Sequence, residues 1–151
     1  MRVCSRSTTS RSDSSRVFSY LLDTNALSEL IRNPAGELAR RVIAVGDAAV
    51  GTSIVVACEL RFGAAKKGSS VLTARVEELL ANIEVAPLGD GADRHYAALR
   101  ARLERAGTPI GPNDMLIAAH ALALGVTVVT DNVKEFSRVP GLKVESWLAA
   151  R

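Results

Sequence analysis

Aromatic side chains are scarce in this chain. Three Phe, two Tyr and one Trp make up 4% of the 151 residues, so aliphatic packing must carry the core. Cysteine is scarcer still: Cys4 and Cys58 show no C-x-x-C or Cys/His spacing, which excludes a disulfide framework and fits a reducing, cytosolic setting. With two histidines and no pairing between them, nothing suggests a zinc site. No apolar run approaches the roughly 20 residues of a membrane span, and no apolar segment near Met1 marks a secretory signal. A Gly-rich loop ending in Lys-Ser or Lys-Thr is missing, and no G-x-G-x-x-G follows the first strand-like segment. Nucleoside triphosphatase and dinucleotide sites are therefore unsupported.

What the chain has is ordinary globular composition, 48% hydrophobic and 23% charged, at a length that buries one core. The formal charge of +3 invites a nucleic-acid reading until its location is considered. Residues 1–17 hold four of the 19 basic residues (Arg2, Arg6, Arg11, Arg16) and one of the 16 acidic ones (Asp13). The body keeps 15 of each and is formally neutral, so any basic patch there must arise from local arrangement. The opening MRVCSRSTTSRSDSSR has almost nothing to bury and is expected to be disordered over 1–16. Its Arg- and Ser-rich composition superficially resembles a transit peptide; an accessory extension or an over-long start is the preferred reading. One domain is expected over 17–151.

Along the body, strand-like segments (Val17 to Leu22, Ala48 to Thr52, Ile83 to Pro87, Val126 to Thr130 and Leu142 to Ser146) alternate with helical stretches at 25–32, 36–45, 54–67, 70–82, 90–106 and 113–124. Strands separated by helices imply an α/β fold, with a central, mostly parallel sheet of about five strands covered on both faces. In such sheets, sites form beyond the carboxyl ends of the strands.

Four carboxylates draw interest on that ground. In YLLDTNALSEL (20–30) the first apolar run stops at Asp23, which either caps the next helix or serves chemistry. In VTVVTDN (126–132) another strand ends on Asp131, at the same sheet edge. In PIGPNDMLIAAHALALG (109–125), Pro112 suits a first helical position and puts Asp114 in the first turn of a helix that is apolar nearly all round. Glu59 interrupts an apolar helical run in SIVVACELRFGAAKKG, where an unpaired charge is costly; it either pairs with a cation such as Lys66 or faces a cleft. Each has a bland explanation, but four bland explanations at once are less economical than one shared cause. Like charges about 4 Å apart repel by roughly 4 kcal/mol at an effective dielectric near 20, so converging carboxylates share a proton or bind a cation. An oxygen-only set favours Mg²⁺ or Mn²⁺, which suits phosphodiester hydrolysis. His120 reads as a core or interface histidine. The basic residues Arg61, Lys66, Lys67, Arg100, Arg102, Arg105, Lys134 and Arg138 are either phosphate contacts or solvated faces.

Taken together, LLDTNALSEL, ACELRFGAAK and PNDMLIAAHALALGVTVVTDNVKEFSRVPGLKVESW resemble the PIN-domain ribonucleases, specifically the VapC-type toxins of toxin–antitoxin modules. The resemblance spans about Val17 to Trp147. It implies a PIN-like fold and a cytoplasmic, Mg²⁺- or Mn²⁺-dependent endoribonuclease whose acidic cluster maps onto Asp23, Glu59, Asp114 and Asp131; the fourth position varies among relatives, some having Asn. It also implies a homodimer, inhibition by a cognate VapB-like antitoxin, and RNA, often tRNA, as substrate. A haloacid-dehalogenase-type phosphatase would want a second Asp two residues after Asp23, where this chain has Asn25. The rival from another class is a non-catalytic PIN-like module that grips RNA or antitoxin.

Overall fold

The computed structural model describes residues 17–148, so the expected disordered tail lies outside the described residues. Five strands and seven α-helices alternate: β1 Tyr20–Leu22, α1 Thr24–Arg32, α2 Glu37–Val45, β2 Val50–Ser53, α3 Ile54–Lys67, α4 Ser70–Ala81, β3 Glu84–Ala86, α5 Ala92–Ala106, α6 Pro112–Leu124, β4 Thr127–Val129, α7 Val133–Phe136 and β5 Val144–Glu145. The strands form one sheet in the order β3-β2-β1-β4-β5, with every pairing parallel. Neighbouring residues of a strand face opposite sides, and Leu21 and Leu22, like Val128 and Val129, are at most 1% exposed. Both faces of the sheet centre are therefore covered, which is why these strands read as continuous apolar runs.

β1 lies between β2 and β4, so the chain winds outward in one direction and later returns to the other side of β1. The order reverses between β1 and β4, and a crevice opens beyond their carboxyl ends. Leu22 stands opposite Val129 in this pairing, which brings Asp23 and Thr130 side by side.

Helix starts follow local chemistry. Asp23, Ser53 and Ser69 accept the backbone N–H groups of Ala26, Val55 and Leu72 at the N-termini of α1, α3 and α4. α6 ends at Gly125 in the left-handed conformation (φ +73°), which turns the chain directly into β4. Gly51 of β2 is required by packing: a Cβ there would lie 1.9 Å from the Phe18 ring. Two features depart from the sequence reading. Cys58, in a helical run that reads as apolar apart from Glu59, sits on the exposed face of α3. The four-residue α7 falls where no helix is expected, because so short an element shows no periodicity.

Candidate active site

Asp23 ends β1 and caps α1 at once. It is 3% exposed; Oδ1 accepts the Ala26 N–H at 2.9 Å and Oδ2 accepts the Thr130 hydroxyl at 2.6 Å. Capping and chemistry are thus not exclusive, because each carboxylate oxygen spends one lone pair on these bonds and keeps another. Burial is the main reason that Asp23's pKa is raised to about 6, and the nearby Glu59 charge adds to it.

Glu59 reaches the same place from the side of α3. Its Oε1 accepts from the Thr24 hydroxyl, and its Oε2 accepts from Asn113 Nδ2 at 2.8 Å. The pairing with Lys66 considered above does not form; that ammonium lies 6.0 Å from the Phe62 ring centroid. Asp114, in the first turn of α6, has its pKa raised to about 7, first by burial, then by a shared hydrogen bond and repulsion with Glu135, and by the charges of Asp23 and Glu59.

Glu135 is therefore the fourth acid that the structure brings to the cluster. It sits on α7, steadied by Asn132 Nδ2, which donates to its Oε1 at 3.1 Å. Asp131 is exposed and does not figure among the groups that perturb Asp23 or Asp114. The turn after β4 explains the difference. Thr130 Oγ1 accepts the Asn132 N–H at 2.8 Å while donating to Asp23, and this turn leads into α7 with Glu135 directed at Asp114. The sequence signal for Glu135 was an acid four residues beyond Asp131, in a segment without detectable helical period.

Among the described residues, no three Asp, Glu, His or Cys side chains close on one point as a ready-made cage. The donor chemistry nonetheless fits a hard cation: four carboxylates arrive from four elements, and the neighbouring acids raise the proton affinity of Asp23 and Asp114, which a divalent ion would relieve. Asp23, Glu59, Asp114 and Glu135 would hold such an ion.

A cleft of about 310 Å³ opens beside the acids between α1, α3 and α4. Thr24, Arg32, Glu59 and Lys67 are among its polar lining, and Ile31, Leu60, Leu72 and Val76 among its apolar lining. Of the candidate phosphate contacts, Arg61 is spent on Glu77 through two 2.8 Å bonds and Arg100 on Glu104 and Tyr96. Arg138 donates to the Pro109 carbonyl at 2.9 Å, beside the start of α6.

The parallel β3-β2-β1-β4-β5 sheet carries its carboxylates over the switch point, and a family model identifies the class: residues 20–142 match the PIN domain, and the chain belongs to the PIN-domain family, in its VapC branch. It is 36% identical over 129 residues to the tRNA(fMet)-specific endonuclease VapC of Salmonella typhimurium, covering 85% of this chain and 97% of that protein. With Ribonuclease VapC2 of Rickettsia felis it shares 34% identity over 130 residues, again 85% of this chain and 97% of the relative. Among solved structures, the Rickettsia felis VapBC2 complex bound to a promoter DNA fragment superposes with a TM-score of 0.80 at 32% identity, over 86% of this chain and 99% of that one. The DNA-bound VapBC complex of Salmonella typhimurium gives 0.78 at 34%, over 87% and 99%.

Proposed function

We propose that this protein is the endoribonuclease toxin of a VapBC-type toxin–antitoxin pair, that it cleaves RNA phosphodiester bonds with Mg²⁺ or Mn²⁺, and that Asp23, Glu59, Asp114 and Glu135 form its site. The observation that carries the reading is that Glu59 bonds Thr24, next to Asp23 at the end of β1, and Asn113, next to Asp114, so that acids from three elements meet over the β1/β4 switch point. A bound Mg²⁺ or Mn²⁺ supplies Lewis-acid polarisation of the phosphoryl group and acidifies water. The chain's own work is orientation. Thr130 and the Ala26 N–H fix both oxygens of Asp23, Thr24 and Asn113 hold Glu59, and the N-terminal dipole of α6 favours the ionised form of Asp114. Asp131, placed outside this set, is assigned no catalytic part.

A VapB-like antitoxin has a surface to use. An apolar segment laid along the α1/α3/α4 cleft reaches Glu59 and Thr24, so a basic side chain at its end would neutralise the acids and block RNA. A tRNA is the favoured substrate, on the model of the tRNA(fMet)-specific relative. A homodimer is proposed because α3 and α4 leave Phe62 and Val71 65% and 61% exposed; a monomeric sedimentation mass would remove that part. The setting is taken as the cytoplasm, and among the described residues no helix is long and apolar enough to cross a membrane.

The test is cleavage of total cellular RNA by purified protein in Mg²⁺ and then in EDTA, with Asp23→Asn purified identically and the product ends sequenced. Discrete cuts that require both the ion and Asp23 support the reading, and the ends name the target. RNA bound but left uncut in Mg²⁺ and Mn²⁺ alike would put a non-catalytic binding module in its place.

A further inference from the structure

α3 and α6 carry Glu59 and Asp114, and the two helices meet through polar side chains at two places. One is the exposed Asn113–Glu59 bond at the acids themselves. The other is buried. His120, 1% exposed, places Nδ1 2.7 Å from the hydroxyl of Ser53, which is 0% exposed. Ser53 lies six residues before Glu59 and His120 six residues after Asp114, so the buried contact stands about 9 Å along each helix from its acid at 1.5 Å per residue.

The neighbouring hydrogen bonds leave Ser53 able to donate in this contact. Ser53 Oγ already accepts the Val55 N–H at 3.0 Å as the cap of α3, so its single proton is available for His120 Nδ1. With Nδ1 accepting, Nε2 would carry the imidazole proton; it makes no hydrogen bond, and the Pro87 carbonyl lies by the ring. Burial lowers the pKa of His120, which keeps the ring neutral and Nδ1 free to accept. An apolar residue would pack into α6 without leaving a buried polar atom unpartnered, so His120 is a poor choice for stability alone. Its one well-made bond goes to the cap of the helix that carries Glu59.

We propose that the Ser53–His120 pair is a positioning clamp that sets α3 against α6 and thereby the separation of Glu59 from Asp114 needed to bind the divalent ion. The inference rests on reading the acid cluster as a metal-dependent nuclease site. His120 and Ser53 touch neither ion nor RNA; they act through Glu59 and Asp114.

The experiment compares wild type with Ser53→Ala, His120→Leu, His120→Asn and His120→Gln. Readouts are Mn²⁺ affinity from the electron paramagnetic resonance signal of free Mn²⁺, kcat and KM for RNA, and melting temperature. His120→Asn keeps an acceptor where Nδ1 was, whereas His120→Gln places its amide nearer the position of Nε2. Loss of the clamp in Ser53→Ala and His120→Leu should weaken Mn²⁺ binding roughly tenfold, the scale of groups that orient metal ligands, and lower kcat with KM for RNA unchanged. His120→Asn should restore most of both, and His120→Gln should not. Leu80→Ala, in α4 away from this contact, should lose stability while keeping its Mn²⁺ affinity. Unaltered Mn²⁺ affinity in folded Ser53→Ala, or equal rescue by Asn and Gln, would overturn the clamp. If wild type binds Mn²⁺ without cutting RNA, the nuclease reading falls while the affinities still decide the clamp; if it binds no Mn²⁺, both fall.

Discussion

The two sides of the acid cluster are built by different means. On the sheet side, Asp23 follows directly from β1 and is almost fully enclosed, with hydrogen bonds to both oxygens from groups within the strand–helix junctions of β1 and β4. On the helix side, Glu59, Asp114 and Glu135 arrive on α3, α6 and α7 and remain partly exposed. The sheet side is held by backbone ladders, so its acid is preorganised and strained electrostatically. The helix side depends on how separate helices pack, so its acids are set by a few polar contacts. One side gives a fixed point; the other gives adjustment.

If that division holds, the largest effect belongs to Asp23→Asn. Asn still caps α1 through Oδ1, and its Nδ2 can donate to Thr130 Oγ1 where the carboxylate accepted, so the fold survives. Removing the charge should reduce RNA cleavage by at least about 100-fold, the usual scale for a group that stabilises charge at the reacting centre. Ionising Asp23 with its pKa at about 6 rather than 3.8 costs about 3 kcal/mol. Asp23→Asn should therefore melt higher than wild type in EDTA at pH 8, and calorimetry checks this. A variant that is both inactive and less stable would mean that Asp23 is mainly structural.

The next contrast lies between two acids four residues apart. Glu135→Gln removes the charge facing Asp114 and should lower cleavage at fixed, subsaturating Mn²⁺ by roughly tenfold or more. Asp131→Asn, at an exposed position, should stay within about twofold of wild type, as surface changes away from a site usually do. Kinetics of the two variants side by side would reverse the assignment if the order came out the other way.

The pH dependence should follow the helix side. The pKa of Asp114 is raised to about 7, so below that pH its carboxyl is mostly protonated and cannot ligate an ion. Cleavage at subsaturating Mn²⁺ should fall as pH drops from 8 to 6, and added Mn²⁺ should recover part of it by competing with the proton. In stability the sign is opposite. A raised carboxyl pKa means that the folded protein holds protons that the unfolded chain releases, so ion-free stability should decline as pH rises from about 4 to about 7 and level off above. Melting curves in EDTA across that range test it. His120, whose pKa is lowered, works against this trend below about 6.5, the ordinary pKa of an unfolded His, because the unfolded chain then takes up a proton that the buried ring resists.

Smallest should be the effect of Thr130→Val, which deletes the hydroxyl that donates to Asp23 and accepts from Asn132. Loss of these two hydrogen bonds, one buried and one partly buried, should cost about 1–3 kcal/mol in stability. Denaturant melts measure that, and Mn²⁺ titration should show a loss of affinity smaller than that of Glu135→Gln. A larger loss than Glu135→Gln would show that the sheet side is no more preorganised than the helix side.

Much of this arrangement was legible in the residues alone. The five strands and six of the helices stand where apolar periodicity placed them, with ends displaced by a few residues because ladder partners decide where a strand stops: β1 starts at Tyr20, opposite Val50, rather than at Val17. Asp23 was legible because its signal is local, an apolar run meeting a cap. Asp114 was legible for a similar reason, since Pro112 marks the first turn of α6. Glu59 showed itself as a charge within an apolar helix, but the partners that hold it, Thr24 and Asn113, lie 35 and 54 residues away. Spacing cannot rank such partners.

The sequence by itself determined the parallel α/β architecture, the buried aliphatic core and the sheet edge at which acids collect, because periods of 2 and 3.6 and helix caps are short-range properties. Only the tertiary structure decided that Glu135 rather than Asp131 faces Asp114, and that Ser53 meets His120. Those choices depend on how the Thr130 turn is closed by hydrogen bonds and on how α3 lies against α6. Both are set by contacts between residues distant in the chain.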